Sequence, residues 1–185
     1  MIEQSTIART VGRKLALLKQ DSSSSRSWLA KLRKADFEEL ANFPNLWPLI
    51  YSDTADFDDL DDKSERAMLY SLILYARHRR NQQVEYASDR SSVGQVLQHG
   101  RSKASNVEAY DSKVLRLFSS NDLRTTVRRL NALLGQLPAG TLLDYQRLAA
   151  DFYRLQAPYR TAIMKTWATD YYRRINSTNL ERIES

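Results

Sequence analysis

The chain has 185 residues, with 28 Lys and Arg against 22 Asp and Glu, a formal net charge of +6 and a pI of about 9.6. That length supports one domain with a sizeable interior, and the basic balance favours an anionic partner, nucleic acid before acidic lipid. The absence of cysteine excludes a disulfide framework and a thiolate metal site.

Residues 1–10 contain no apolar run and include Glu3, so they do not read as a signal peptide. The longest near-apolar stretch, 67–76, is about half of the ~20 residues a bilayer span needs. The expectation is a cytoplasmic protein with no membrane partner. Leucine (25) far outnumbers valine (7) and isoleucine (7), and no segment alternates apolar with polar over strand length. The periodicity is helical throughout, and the predicted fold class is all-α, a compact bundle of about eight to nine helices without a sheet.

The first predicted helix, 7–18, places Ile7, Val11, Leu15 and Leu18 on one face. Ser22 to Ser25 supply N-cap candidates for a second helix around Trp28, Leu29 and Leu32. Pro44 and Pro48 break 36–51 into short turns. Residues 53–62 hold six aspartates and read as an exposed loop. A long central helix follows at 63–80, apolar nearly all round from Met68 to Ala76.

From Arg80 to Ser105 the chain is polar, with a short amphipathic piece at 93–97. Three more helices are predicted at Val107–Phe118, at 122–137 with Leu123, Val127, Leu130 and Leu134 as its stripe, and at 144–155. Asp144 caps the last of these, which buries Tyr145, Leu148 and Phe152. Pro158 suits the first turn of a final helix carrying Tyr159, Ile163, Trp167 and Tyr171 every fourth residue. The organisation reads as one integrated domain. It has an N-terminal helical half (1–80), a polar connecting segment (81–106), a C-terminal helical half (107–176) and a frayed tail (177–185).

Catalytic signatures are missing. None of the five glycines is spaced to cradle a phosphate, and neither histidine, His78 or His99, has a second at i+3 or i+4. His78 sits in an arginine run and reads as a surface residue or cation. His99 reads as a contact to a helix C-terminus. A divalent-metal nuclease would need converging carboxylates, from Asp144, Asp151 and Asp170 or from the aspartate run. Asp144 is better explained as a cap, and Asp151 and Asp170 as partners of nearby arginines. The aspartate run lacks the glycine and terminal glutamate of a calcium loop. The expectation is no enzyme, no cofactor and no metal.

Basic residues gather at Lys31, Arg33 and Lys34; at Arg77, Arg79 and Arg80; at Arg101, Lys103, Lys113 and Arg116; and at Arg124, Arg128 and Arg129. Arg160, Lys165, Arg173 and Arg174 line the final helix. Distributed cations of this kind bind a phosphate backbone without reading sequence. Each cluster is equally readable as a solvated helix face. Arg160 falls in the apolar arc of its helix, where a structural ion pair competes with phosphate binding. The glycine-preceded, serine-rich 101–103 segment reads as a mobile loop able to drape along a strand.

The order of these features resembles the CasB family, the small subunit of the type I-E CRISPR surveillance complex called Cascade. The likeness runs from Trp28 to Tyr172. It includes the proline-broken stretch 28–51, the apolar helix 67–76, Ser92-Val93-Gly94 with Val96-Leu97, and 123–134 with Arg128-Arg129. It is densest in Leu143-Asp144-Tyr145, Asp151, Tyr153, Gln156-Ala157-Pro158, Arg160, Trp167 and Asp170-Tyr171-Tyr172. Two departures stand out. Relatives often carry two basic residues and an aromatic where this chain has Ser112-Lys113-Val114, and a tryptophan where it has Leu155.

The resemblance implies a non-enzymatic subunit, present in two copies, that meets the repeated backbone subunits, the large subunit, the guide RNA and R-loop DNA. The residues expected to line the nucleic-acid path are Arg33, Lys34, Lys63, Arg101, Lys103, Lys113, Arg116 and Arg160. Tyr145, Tyr153, Tyr171 and Tyr172 are expected mainly in the core, with one or two free to stack on bases. Charge reversal at Arg101 and Lys103 is expected to weaken target capture and leave the fold intact. A purely structural adaptor joining subunits is the alternative.

Overall fold

The computed structural model of the chain describes residues 4–52, 60–79, 91–138, 140–156 and 158–181, with side chains described up to residue 173. Among these residues there are nine α-helices, two 3-10 turns and no strand. The helix α1 (Gln4–Lys19) buries Ile7, Val11, Leu15 and Leu18 completely, as the spacing predicts. Ser22 caps α2 (Ser23–Lys34), its hydroxyl accepting the Ser25 N–H at 3.1 Å. The proline-broken stretch forms 3-10 turns at Leu40–Asn42 and Pro44–Leu46, then the one-turn helix α3 (Trp47–Tyr51). Lys14, fully buried in α1, holds this region by donating to the carbonyl and the hydroxyl of Ser52.

The central helix α4 (Asp62–Arg79) is buried continuously from Ala67 to Ala76. Each large aliphatic side chain there contributes roughly 1.5–3 kcal/mol by leaving water. Asp61 begins it, accepting from the backbone N–H of Ser64 at 2.8 Å. The predicted aspartate loop falls largely in 53–59, outside the described residues, as does Arg80.

The amphipathic piece at 93–97 is longer than its apolar residues indicate. It is a ten-residue helix, α5 (Val93–Ser102), opened by a reciprocal Ser92–Gln95 capping box. It packs closely along α9 (Arg160–Glu181). The approach depends on Gly94: a Cβ there would collide with the Trp167 carbonyl and lie 2.8 Å from Asp170 Cβ. Ser92 Oγ also donates to Asp170 at 2.5 Å. Ser92-Val93-Gly94 and Trp167 to Asp170 are therefore two sides of one joint.

The remaining helices are α6 (Val107–Phe118), α7 (Leu123–Leu134, capped by Asp122) and α8 (Tyr145–Leu155, capped by Asp144). Both α1 and α4 pack on α8, so the first and last thirds of the chain share one core. Ile163, Trp167 and Tyr171 of α9 are buried, but Tyr159 is not. It precedes the helix, exposed, with the Arg154 guanidinium 5.6 Å above its ring. Where polar composition suggests fraying after residue 176, α9 continues to Glu181.

Candidate nucleic-acid interface

The arginines and the lysines of the basic clusters have different fates. Arg33, Arg77, Arg79, Arg129 and Arg160 are directed onto main-chain carbonyls at helix ends and Arg101, Arg124 and Arg128 onto carboxylates, while Arg116 is exposed with no such bond among the described residues. At the close of α2 and α4, Arg33 Nε donates to the Ala76 carbonyl at 3.0 Å, and Arg77 Nη2 returns to the Ala35 carbonyl at 2.6 Å. Arg79 reaches the Leu18 carbonyl at 2.7 Å, and Arg77 also lies 4.7 Å over the Phe37 ring. The last four carbonyls of a helix have no intrahelical partner and carry its negative dipole end, so guanidinium groups satisfy both needs.

Arg160 carries this furthest. Its Nη2 donates to the Ser120 carbonyl (2.5 Å), the Thr126 hydroxyl (2.8 Å) and the Asp122 carbonyl (3.2 Å). Its Nε also reaches Ser120 (3.0 Å), and Nη1 reaches the Leu155 carbonyl (3.3 Å). One side chain thereby pins the α6–α7 connection to the end of α8. Arg129 adds to the same knot, donating to the Arg116 carbonyl and to Ser120 Oγ. Arg124 pairs with Glu38 at 2.5 Å, and Arg128 with Asp36 at 3.1 Å. The Phe37 backbone N–H and Arg128 hold the Asp36 carboxyl below its ordinary pKa.

Arg101 is not in a mobile loop. It belongs to the last turn of α5 and grips Asp111 with two bonds, at 2.8 and 3.1 Å. Tyr171 donates its hydroxyl to the same carboxylate at 2.5 Å, so α5, α6 and α9 meet at Asp111. Burial raises the Asp111 pKa, but the bonds from Arg101 and Tyr171 outweigh it and leave the carboxyl below its ordinary value. Asp111 was not among the sequence candidates. An aspartate amid α6's polar positions carries no mark of its partner.

Lys34, Lys63, Lys103, Lys113 and Arg116 are exposed. Lys34 borders a cleft of about 280 Å³ with Lys31, Phe43 and Asn45, and the Lys31 ammonium sits 4.1 Å over the Trp28 ring. Lys63 and Arg160 border a larger cleft of about 550 Å³, whose walls also carry Glu38, Glu39 and Asp122. Lys103 and Lys113 come together across a cleft of about 320 Å³ between α5 and α6. Arg116 follows one turn beyond Lys113 on α6.

Other side chains also differ from their expected settings. His78 is buried, accepting from or donating to the Tyr145 hydroxyl at 2.5 Å, and burial lowers its pKa. Asp151 accepts from the Trp167 indole at 2.8 Å, and Asp170 from Ser92. Arg147 and Arg154 act on Asp151 through space, but burial prevails and raises its pKa. With Asp144 engaged by the N–H groups of Gln146 and Arg147, the three aspartates have separate structural duties. Among the described residues no group of three His, Cys, Asp or Glu converges as a metal site, and no helix is long and apolar enough to cross a membrane. Tyr145 and Tyr171 are core, Tyr153 is half-buried, and Tyr172 is partly exposed against the edge of Tyr171.

The model of the family CRISPR-associated protein Cse2 (CRISPR_cse2) matches residues 28–172. No curated protein is similar at the level of sequence. Among solved structures, a Cse2-family CRISPR-associated protein from Thermus thermophilus, TTHB189, is 17% identical, with a TM-score of 0.69 over 93% of this chain and 99% of its own. CasB from Thermobifida fusca is 18% identical, with a TM-score of 0.70 over 91% of this chain and 96% of its own. CasB from Thermus thermophilus is 19% identical, with a TM-score of 0.69 over 93% and 99%. Those structures share the fold, and the family match spans most of the chain. The chain belongs to the CRISPR-associated Cse2, or CasB, family, and is by that membership a Cascade-type subunit.

Proposed function

We propose that the chain is a non-catalytic small subunit of a type I-E RNA-guided complex, and that it stabilises the R-loop by holding nucleic acid on an exposed basic surface. The observation that carries this reading is the sorting of cations. Lys34, Lys63, Lys113 and Arg116 stay in solvent on helices and Lys103 just past the end of α5, while Arg33, Arg77, Arg79 and Arg160 are engaged by main-chain carbonyls. Exchanging a DNA duplex for an RNA–DNA hybrid is close to balanced in free energy, so a few phosphate contacts bias the outcome. Cations that hold the displaced strand raise the cost of re-annealing. They act without reading sequence, which suits a subunit that must serve any guide. Neighbours in this reading are the guide RNA, the displaced strand, a second copy of the chain, and the backbone and large subunits.

The test is R-loop lifetime in a reconstituted complex. Charge reversal at Lys103, Lys113 and Arg116 should shorten the lifetime, and four phosphate contacts to a single strand correspond to a log–log salt slope of roughly −3. Arg101 is unsuitable for that experiment, because reversing it would set a second carboxylate against Asp111. An unchanged lifetime with normal assembly would leave the purely structural adaptor as the better reading.

A further inference from the structure

We propose that the cleft between the end of α5 and the start of α6 is a pocket for one backbone phosphate of a nucleic-acid strand, with Lys103 and Lys113 as its cations and the Tyr110 hydroxyl as a buried donor. The pocket deepens the proposed nucleic-acid role and rests on it. Three independent features converge there. The first is charge: among the described residues the cleft of about 320 Å³ is bordered by Lys103 and Lys113 and by no carboxylate. The larger cleft beside Arg160, by contrast, carries three.

The second is Tyr110. It forms part of the cleft wall, is 4% exposed, and its hydroxyl has no hydrogen-bond partner among the described residues. Leaving a buried hydroxyl unpaired costs about 1–3 kcal/mol. Gly100, on the same wall, makes the room for it, since a Cβ there would collide with the hydroxyl and lie 2.7 Å from Leu137 Cδ2. Burial and the Asp111 charge push the phenol pKa up to about 12, so at neutral pH the group is a proton donor.

The third is the setting. Asn106 and Ala109 belong to the cleft, which therefore opens at the start of α6; the Ala109 N–H is itself taken by the Asn106 side chain at 2.9 Å, so what the helix offers an anion there is the positive end of its dipole. Lys113 is held in place by Gln136, accepting its ammonium at 2.8 Å, and Gln136 is itself anchored to the Ala132 carbonyl at 2.7 Å. An ammonium has three N–H donors, so one such bond leaves others for a phosphate oxygen.

The experiment is fluorescence anisotropy of a labelled single-stranded oligothymidylate on the full chain, with thermal unfolding alongside. Tyr110→Phe should weaken binding about tenfold, the usual scale of a hydrogen bond to a charged group, while leaving the melting temperature equal or higher. A purely structural tyrosine predicts the same stability with unchanged binding, and that result would overturn the pocket. Lys103→Gln with Lys113→Gln should flatten the salt slope by about 0.7, the value for one phosphate of a single strand. A parallel Lys34→Gln, Lys63→Gln variant separates the claims. If it weakens binding while Tyr110→Phe does not, only the pocket fails; if none of the variants matters, the nucleic-acid reading fails as well. Inorganic phosphate is the last arm. Thermal stabilisation by phosphate that Tyr110→Phe abolishes, without any effect of Tyr110→Phe on oligonucleotide binding, would assign a free-anion pocket and overturn the strand assignment.

Discussion

The corner around Arg160 and the corner around Lys103 and Lys113 are both basic in sequence, both lie where helices end, and each borders a cleft. They differ in where the charge is directed. The Arg160 guanidinium is surrounded by main-chain oxygen from Ser120, Asp122 and Leu155, so its positive charge serves the fold. Lys103 is exposed, and Lys113 meets one neutral amide. The contrast follows from the side chains. A planar guanidinium with five fixed donors reaches several carbonyls at once, whereas an ammonium on a flexible stem stays hydrated. Net charge alone overstates the surface available to a phosphate backbone.

The largest effect that tests this contrast is expected at Arg160. Arg160→Ala removes the link between the α6–α7 connection and α8, at a cost of about 3 kcal/mol. In a chain of this size that lowers the melting temperature by roughly 6–12 °C. Oligonucleotide affinity per folded molecule should be unchanged. A variant that melts normally but binds weakly would move Arg160 to the open side of the comparison.

Asp111 ranks next, because it anchors the single cation of the α5–α6 corner that is turned inward. Asp111→Asn should cost about 2 kcal/mol at neutral pH by loosening both Arg101 and Tyr171. The effect has a defined pH dependence. The folded carboxyl titrates below its ordinary value of 3.8, so its contribution is complete above that value and disappears as pH falls through the depressed one. Urea unfolding followed from neutral into acid pH should show wild type and Asp111→Asn converging at the acid end. A constant gap would mean that the carboxylate charge is not what holds the corner.

The helices themselves were legible in the sequence. Fourfold and threefold spacing marked the buried faces of α1, α7 and α8, and Asp144 announced its cap, whereas Asp122, expected as the first helical residue, is the cap of α7. The destinations of the arginines were not legible, for a physical reason. The acceptors of Arg33, Arg77, Arg79 and Arg160 are carbonyl groups, which every residue has, and most lie far along the chain, as with Arg79 and Leu18 or Arg160 and Ser120. No residue type marks such a partner. His78 was misleading for the same reason: its arginine neighbours suggested solvent, while its partner, Tyr145, lies in another helix. Tyr110 was invisible because an unpartnered hydroxyl is a property of the fold.

The smallest expected effect gives the sharpest comparison, because its two members are adjacent. Arg33 and Lys34 close α2 and share one basic cluster, yet Arg33 bonds the Ala76 carbonyl while Lys34 is exposed. Arg33→Gln should destabilise the chain by about 1 kcal/mol, the typical net worth of one such hydrogen bond. Lys34→Gln should alter stability by less than about 0.5 kcal/mol, as surface substitutions do. The same substitution should flatten the salt dependence of single-strand binding by about 0.7, while Arg33→Gln leaves it alone. Both variants remove one charge, so long-range attraction falls equally in each. Any difference in slope then reports direct phosphate contact. Equal slopes would show that the surface acts through its summed field, with no particular lysine touching the strand.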